Sequence, residues 1–186
     1  MEIIPGVHQV EGVWGCSVYL LVDEDRPFLI DTGLPGNTDK ILKYMADVGA
    51  AQPSSLAVLL THGHPDHTGS VRALRQHVGA TIMAHKDDLK WDRGRPWLHY
   101  SSQPWAREWN APLFQKAFVD QALEDGATLP VLGGLRVVHS PGHTAGTVCF
   151  FLEDEGILFT GHHIMGRGTV VIRSDELGRA QGRERG

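Results

Sequence analysis

The 186-residue chain has the length of one compact domain, enough to bury about two-thirds of its unfolded surface. Its 17 Lys and Arg against 22 Asp and Glu give a formal net charge of −5 with no basic block, which argues against a nucleic-acid backbone as partner. No apolar run approaches the roughly 18 residues that span a bilayer, and the first residues lack a basic segment followed by an apolar one, so the expected setting is the cytoplasm.

In chain order, Val7–Val10, Ser17–Val22 and Pro27–Ile30 read as strands of a meander, rich in branched and aromatic residues. Asn37 is the expected N-cap of a helix through Val48, with Ile41, Leu42, Met45 and Val48 at helical spacing and Gly49 as its stop. The apolar run Leu56–Leu60 then leads into the loop Thr61–Gly69. Thr68 is expected to cap the next helix, which carries Val71, Leu74 and Val78 and stops at Gly79 before the strand Ala80–Ala84. Between His85 and Leu135 the pattern loosens around Trp91, Trp97, Trp105 and Trp109. These are expected to pack an insert onto the body, with Lys90, Arg93, Arg95 and Arg107 as a solvated basic face; the competing reading is an aromatic substrate wall. Leu135–Val138 and Gly156–Thr160 read as further strands, and the polar stretch 174–186 as a disordered tail after one domain over 1–173. Cys16 and Cys149, both in apolar strand-like runs, are expected to be buried free thiols.

The chemistry concentrates in Thr61-His62-Gly63-His64-Pro65-Asp66-His67, three imidazoles and a carboxylate within six positions. Zinc prefers neutral imidazole nitrogen and accepts carboxylate oxygen, and a loop leaving a strand can aim several such groups at one point. Alternation along an extended chain brings His62 and His64 to one ion. Asp66 and His67, past Pro65, face elsewhere and are candidates for a second. His143, in Pro141-Gly142-His143-Thr144, and His162 and His163, after Leu158-Phe159-Thr160-Gly161, also follow apolar runs at glycine-containing turns. His8, His77, His85, His99 and His139 read as structural.

Together with Phe28-Leu29-Ile30-Asp31-Thr32-Gly33, these motifs resemble, in order, those of the metallo-β-lactamase-fold hydrolases, the branch of glyoxalase II, lactonases and β-lactamases. The resemblance implies an αββα sandwich of two mixed sheets flanked by helices, with a metal site at one edge, usually of two zinc ions, and a small-molecule substrate. Positions matching His62, His64 and His143 hold one ion, and those matching Asp66 and His67 the other. In that pattern Asp66 is also the general base of a zinc-bound hydroxide attacking an ester, thioester, lactone, lactam or phosphodiester bond, with Asp31 supporting a ligand histidine.

The chain departs from the family pattern twice. His162 stands where the family has an aspartate bridging the two metals, and the chain ends at Gly186 before a further downstream histidine, as a C-terminal truncation would leave it. A carboxylate bridges two cations and cancels charge, whereas a neutral imidazole offers one lone pair and cancels none, so the second site is expected to be weak. Alternatives are an impaired metal-binding relative, exposed enough at its shortened end to form a homodimer, or an iron-dependent sulfur dioxygenase. Iron and manganese are the alternative metals to zinc.

Overall fold

The computed structural model describes residues 1–23, 26–50, 55–98 and 117–163, the side chain of His163 excepted. In chain order the elements are β1 (Glu2–Ile4), β2 (Val7–Gln9), β3 (Tyr19–Asp23), β4 (Arg26–Ile30), α1 (Thr38–Asp47), β5 (Ala57–Leu59), α2 (Pro65–Thr68), α3 (Val71–Val78) and β6 (Thr81–His85). There follow β7 (Leu89–Asp92), β8 (Arg95–Leu98), β9 (Gln121–Leu123), β10 (Thr128–Leu129), β11 (Leu135–His139), β12 (Val148–Leu152) and β13 (Ile157–Phe159).

Strands β1 to β4 form the antiparallel meander, and β5, β6 and β9 extend it in parallel, giving a sheet ordered β1-β2-β3-β4-β5-β6-β9. A second, antiparallel sheet runs β10-β11-β12-β13. Period-two alternation explains how the two pack. Tyr19, Leu21, Phe28, Ile30, Ala57, Leu59 and Met83 face the second sheet, meeting Leu135, Val137, Val148, Phe150, Leu152 and Phe159 in one buried cluster. The intervening Leu20, Leu29, Val58 and Ile82 face the other way, onto Ile41 and Met45 of α1 and Val71 and Leu74 of α3. The molecule has the mixed, two-sheet architecture that the resemblance implies. Its described residues supply the helical layer and both sheets of the αββα sandwich.

Because β4, β5 and β6 are parallel, their C-terminal ends lie at one edge of the sheet. Asp31, the loop from Thr61 and the segment from His85 therefore start side by side. The second sheet is fastened to this edge where Val148 N donates to Thr61 O at 2.8 Å.

Several expectations change. Asn37 stands at the start of α1 but makes no side-chain cap. Its Nδ2 donates instead to the carbonyls of Trp14 and Leu34, at 2.9 and 3.1 Å, clamping two loops. Thr68 does not cap α3: it ends α2, with its hydroxyl donating to His64 O, and Ser70 occupies the N-cap position. Cys16 lies outside the strands, in the bend before β3, and is only half-buried; Cys149 is buried in β12 as expected. The insert contains the hairpin β7–β8, on which Trp91 is 67% exposed and Trp97 bridges to Phe118. Trp105, Trp109, Arg107, His99 and the tail 174–186 lie outside the described residues.

Candidate metal centre

His62, His64 and His67 are each buried, on the loop and short helix that leave β5. Pro65 at the first helical position suits its fixed φ and missing N–H, and it starts α2 straight after His64. That turn separates His64 from Asp66 and His67, as the sequence implies. His143 comes from the loop between β11 and β12, and His162 from the single 3₁₀ turn Gly161–His163 that follows β13. Gly161 before it, at φ +54°, passes so close that a Cβ would stand 2.8 Å from Thr61 Oγ1. Both sheets thus supply histidines to one place.

The donor atoms of His62, His64, His143 and His162 all lie within 4.8 Å of one another. His143 Nε2 is 2.8 Å from both His64 Nδ1 and His162 Nδ1. His62, Asp66 and His67 form a second group of the same kind, so His62 is common to both. His162, at the position of the family's bridging aspartate, has its Nδ1 beside His143 of the first group. Its Nε2 lies 3.3 Å from Asp66 Oδ2. The side chain of His163 lies outside the description.

Asp31 supports this array. At φ +59° it holds a backbone conformation rare for a non-glycine residue, a strain met where a side chain is needed in one direction. Its Oδ1 accepts from Thr61 N at 2.9 Å, and its Oδ2 from Thr61 Oγ1 at 2.8 Å and from His67 Nδ1 at 2.7 Å. Nε2 of His67 is thereby left facing Asp66, 3.6 Å from its carboxylate.

Electrostatics follow from burial and crowding. Burial and the neighbouring histidines push His62 far below the ordinary imidazole range, and burial with His143 lowers His64 to about 4. His67 goes the other way: despite burial, the charge and hydrogen bond of Asp31 hold it well above that range. Burial raises the Asp66 carboxyl, but the hydrogen bond from His162 and the charge of His67 outweigh it and keep Asp66 below the usual carboxylate range. Burial raises the Cys16 thiol, which lies beside His67 and Asp31.

Two atoms test whether this set suits a metal. Nε2 of His62 and Nε2 of His67 are buried with no hydrogen-bond partner. An orphaned buried polar atom is costly, and crowded nitrogen lone pairs repel unless a cation lies among them. Imidazole nitrogens with a carboxylate at the margin match zinc, so the residues fit the ion.

Sequence reasoning does not single out Asp88, which ties the centre together. Its Oδ2 accepts from Gly63 N and from Thr144 Oγ1, and its Oδ1 from Gly146 N, each at 2.8 Å. One carboxylate therefore spans the loop of His62 and His64 and the loop of His143. Of the remaining histidines, His85 stacks on His139 with centroids 4.0 Å apart, and His77 contacts Ala73 O at 2.8 Å.

Residues 12–183 match the sequence pattern of the "Metallo-beta-lactamase superfamily". The chain belongs to that superfamily. It is 32% identical over 177 residues to "Atrochrysone carboxyl ACP thioesterase" of Aspergillus chevalieri, covering 94% of this chain and 46% of that protein. It is 26% identical over 193 residues to "Probable metallo-hydrolase YflN" of Bacillus subtilis, covering 92% and 73%. The crystal structure of a metallo-beta-lactamase family protein from Thermus thermophilus superposes with a TM-score of 0.67 at 23% identity, over 90% of this chain and 62% of that one, and shares the fold. The chain spans about half the length of the curated relatives that it matches first. No helix among the described residues is long and apolar enough to cross a membrane.

Proposed function

We propose that the chain is a zinc-dependent hydrolase of acyl bonds in small molecules. The observation that carries this reading is the buried Nε2 of His62, without a hydrogen-bond partner, beside the crowded nitrogens of His64 and His143. His62, His64 and His143 would hold the ion. When bound, zinc supplies Lewis acidity and brings the pKa of water toward about 7. Nitrogen donors disfavour magnesium and calcium, which take oxygen ligands. Asp66, 26% exposed and held ionised, orients the attacking water or takes its proton. Asp31 and Thr61 fix the imidazoles of His67 and His62 by their Nδ1 atoms, leaving each Nε2 directed inward. The thioesterase among the relatives favours an acyl bond, ester or thioester before lactone or lactam, over a phosphodiester.

A second reading, a metal-binding relative with weakened catalysis, is favoured by one contact: His162 Nε2 engages the carboxylate of Asp66. Elemental analysis with a panel of thioesters, esters and lactones separates the two. His143→Ala should lose zinc and turnover together. Asp66→Asn should keep its zinc and lose turnover by about 10²–10⁴-fold, the scale of a general base. Full zinc retention in His143→Ala, or unchanged turnover in Asp66→Asn, would remove those residues from these roles; a parent that binds zinc and turns over no acyl substrate would leave the second reading.

A further inference from the structure

His162 is the residue that sets this centre apart, and its two nitrogens meet different partners. Nε2 lies 3.3 Å from Asp66 Oδ2, and Nδ1 lies 2.8 Å from His143 Nε2. A neutral imidazole has one N–H and one lone pair, and an ionised carboxylate only accepts. The hydrogen therefore belongs on Nε2, directed at Asp66, and the lone pair on Nδ1. That lone pair faces the same point as the donors of His62, His64 and His143, and the four rings crowd one another, with the His162 centroid 5.1 Å from that of His62 and 4.6 Å from that of His143.

We propose that His162 is a fourth nitrogen ligand of the three-histidine site, held in the ligating tautomer by Asp66, and that the chain is in consequence a one-metal variant of its fold. The inference rests on the metal-dependent reading above and adds the ligand count to it. A carboxylate behind a ligating histidine is a common way to fix ring orientation and raise donor strength. Here the same contact has a second effect. Asp66 directs an oxygen at the N–H of His162, and that oxygen is lost to a second ion, which would retain His67 and a share of His62. Among the described residues no carboxylate belongs to both groups, so nothing there would offset the repulsion between two dications. A single substitution thus strengthens one site and dismantles the other. Four neutral nitrogens would leave the full charge of the ion in place, and a reacting water would have to enter by the expansion to five ligands that catalytic zinc sites undergo.

The test is zinc content per chain and X-ray absorption at the zinc edge, which counts imidazoles, on the zinc-loaded full chain and its His162→Ala variant. The expected parent holds one zinc with four imidazoles. His162→Ala should hold one zinc with three, and its dissociation constant should rise on the order of tenfold or more. Three imidazoles in the parent, unchanged in the variant, would overturn the assignment, as would two tightly held zinc ions in the parent. In both cases the metal-binding premise of the hydrolase reading stands, because the ion is bound. A parent that binds no zinc overturns that reading and this inference with it.

Discussion

Asp88 shows how much of a site can hang on a residue that touches none of the chemistry. It satisfies two backbone N–H groups and a hydroxyl on the two loops that carry His62, His64 and His143. Asp88→Ala leaves those donors without their acceptor. Each stranded buried donor costs about 1–3 kcal/mol, so the variant should lose on the order of 2 kcal/mol or more of stability in denaturant titration. Its zinc affinity should fall about 10–100-fold, as when supports behind metal ligands are removed. Unchanged affinity would show that the loops hold their places without it. His62, His64, Asp66 and His67 were legible in the sequence because they are adjacent and chemically distinctive. Asp88 was not, because Gly63 and Gly146 stand 25 and 58 residues away and contribute only backbone amides, which leave no mark on residue type.

Among the elements, α2 is four residues long and owes its place to its neighbours rather than to helix propensity. Gly69, at its end, donates to Gly33 O at 2.9 Å, and a Cβ there would stand 2.4 Å from Pro35 N. Gly69→Ala should therefore push α2, with Asp66 and His67, away from residues 33–35. Overpacking of this kind costs about 1–3 kcal/mol, and turnover should fall even though no ligand is altered. Wild-type stability and rate in that variant would contradict the close approach. Strands β4 and β5 were readable because their apolar runs are continuous, and β11 because buried Leu135 and Val137 alternate with Arg136. The β7–β8 hairpin was hidden by a run of Trp, Lys, Asp and Arg with no clean alternation. Cys16 was drawn into a strand by its apolar neighbours, whereas Gly15 beside it takes φ +104° and breaks the extended chain. The start of α3 at Ser70 was missed because the Ser70 hydroxyl donates to Leu34 O rather than capping the helix, leaving Thr68 as the more visible cap residue.

At the scale of the molecule, the buried histidines make stability depend on pH. Burial and neighbouring histidines lower His62 and His64, the latter to about 4, and burial with His139 lowers His85. These groups are neutral in the folded chain, but in the unfolded chain they take protons below about 6.5. Their contribution is complete above that value and is lost as pH falls from about 6.5 toward 4. His67, raised by Asp31, has the opposite sign: its contribution is present below about 6.5 and is lost as pH rises through its elevated value. Three groups against one predict that the metal-free chain melts at lower temperature at pH 5 than at pH 7; a flat profile would contradict that balance. The seam between the sheets carries a further consequence. Thr61 and Val148 join the layers at the edge where His62 and His64 arrive from one sheet and His143 and His162 from the other. An ion gripped there would rivet the layers, its binding free energy adding to the apolar adhesion between them. At a thousand times its dissociation constant, zinc would add about 4 kcal/mol to the folded state. Resistance to proteolysis then becomes a gauge of occupancy, and chelation a way to prise the sandwich open.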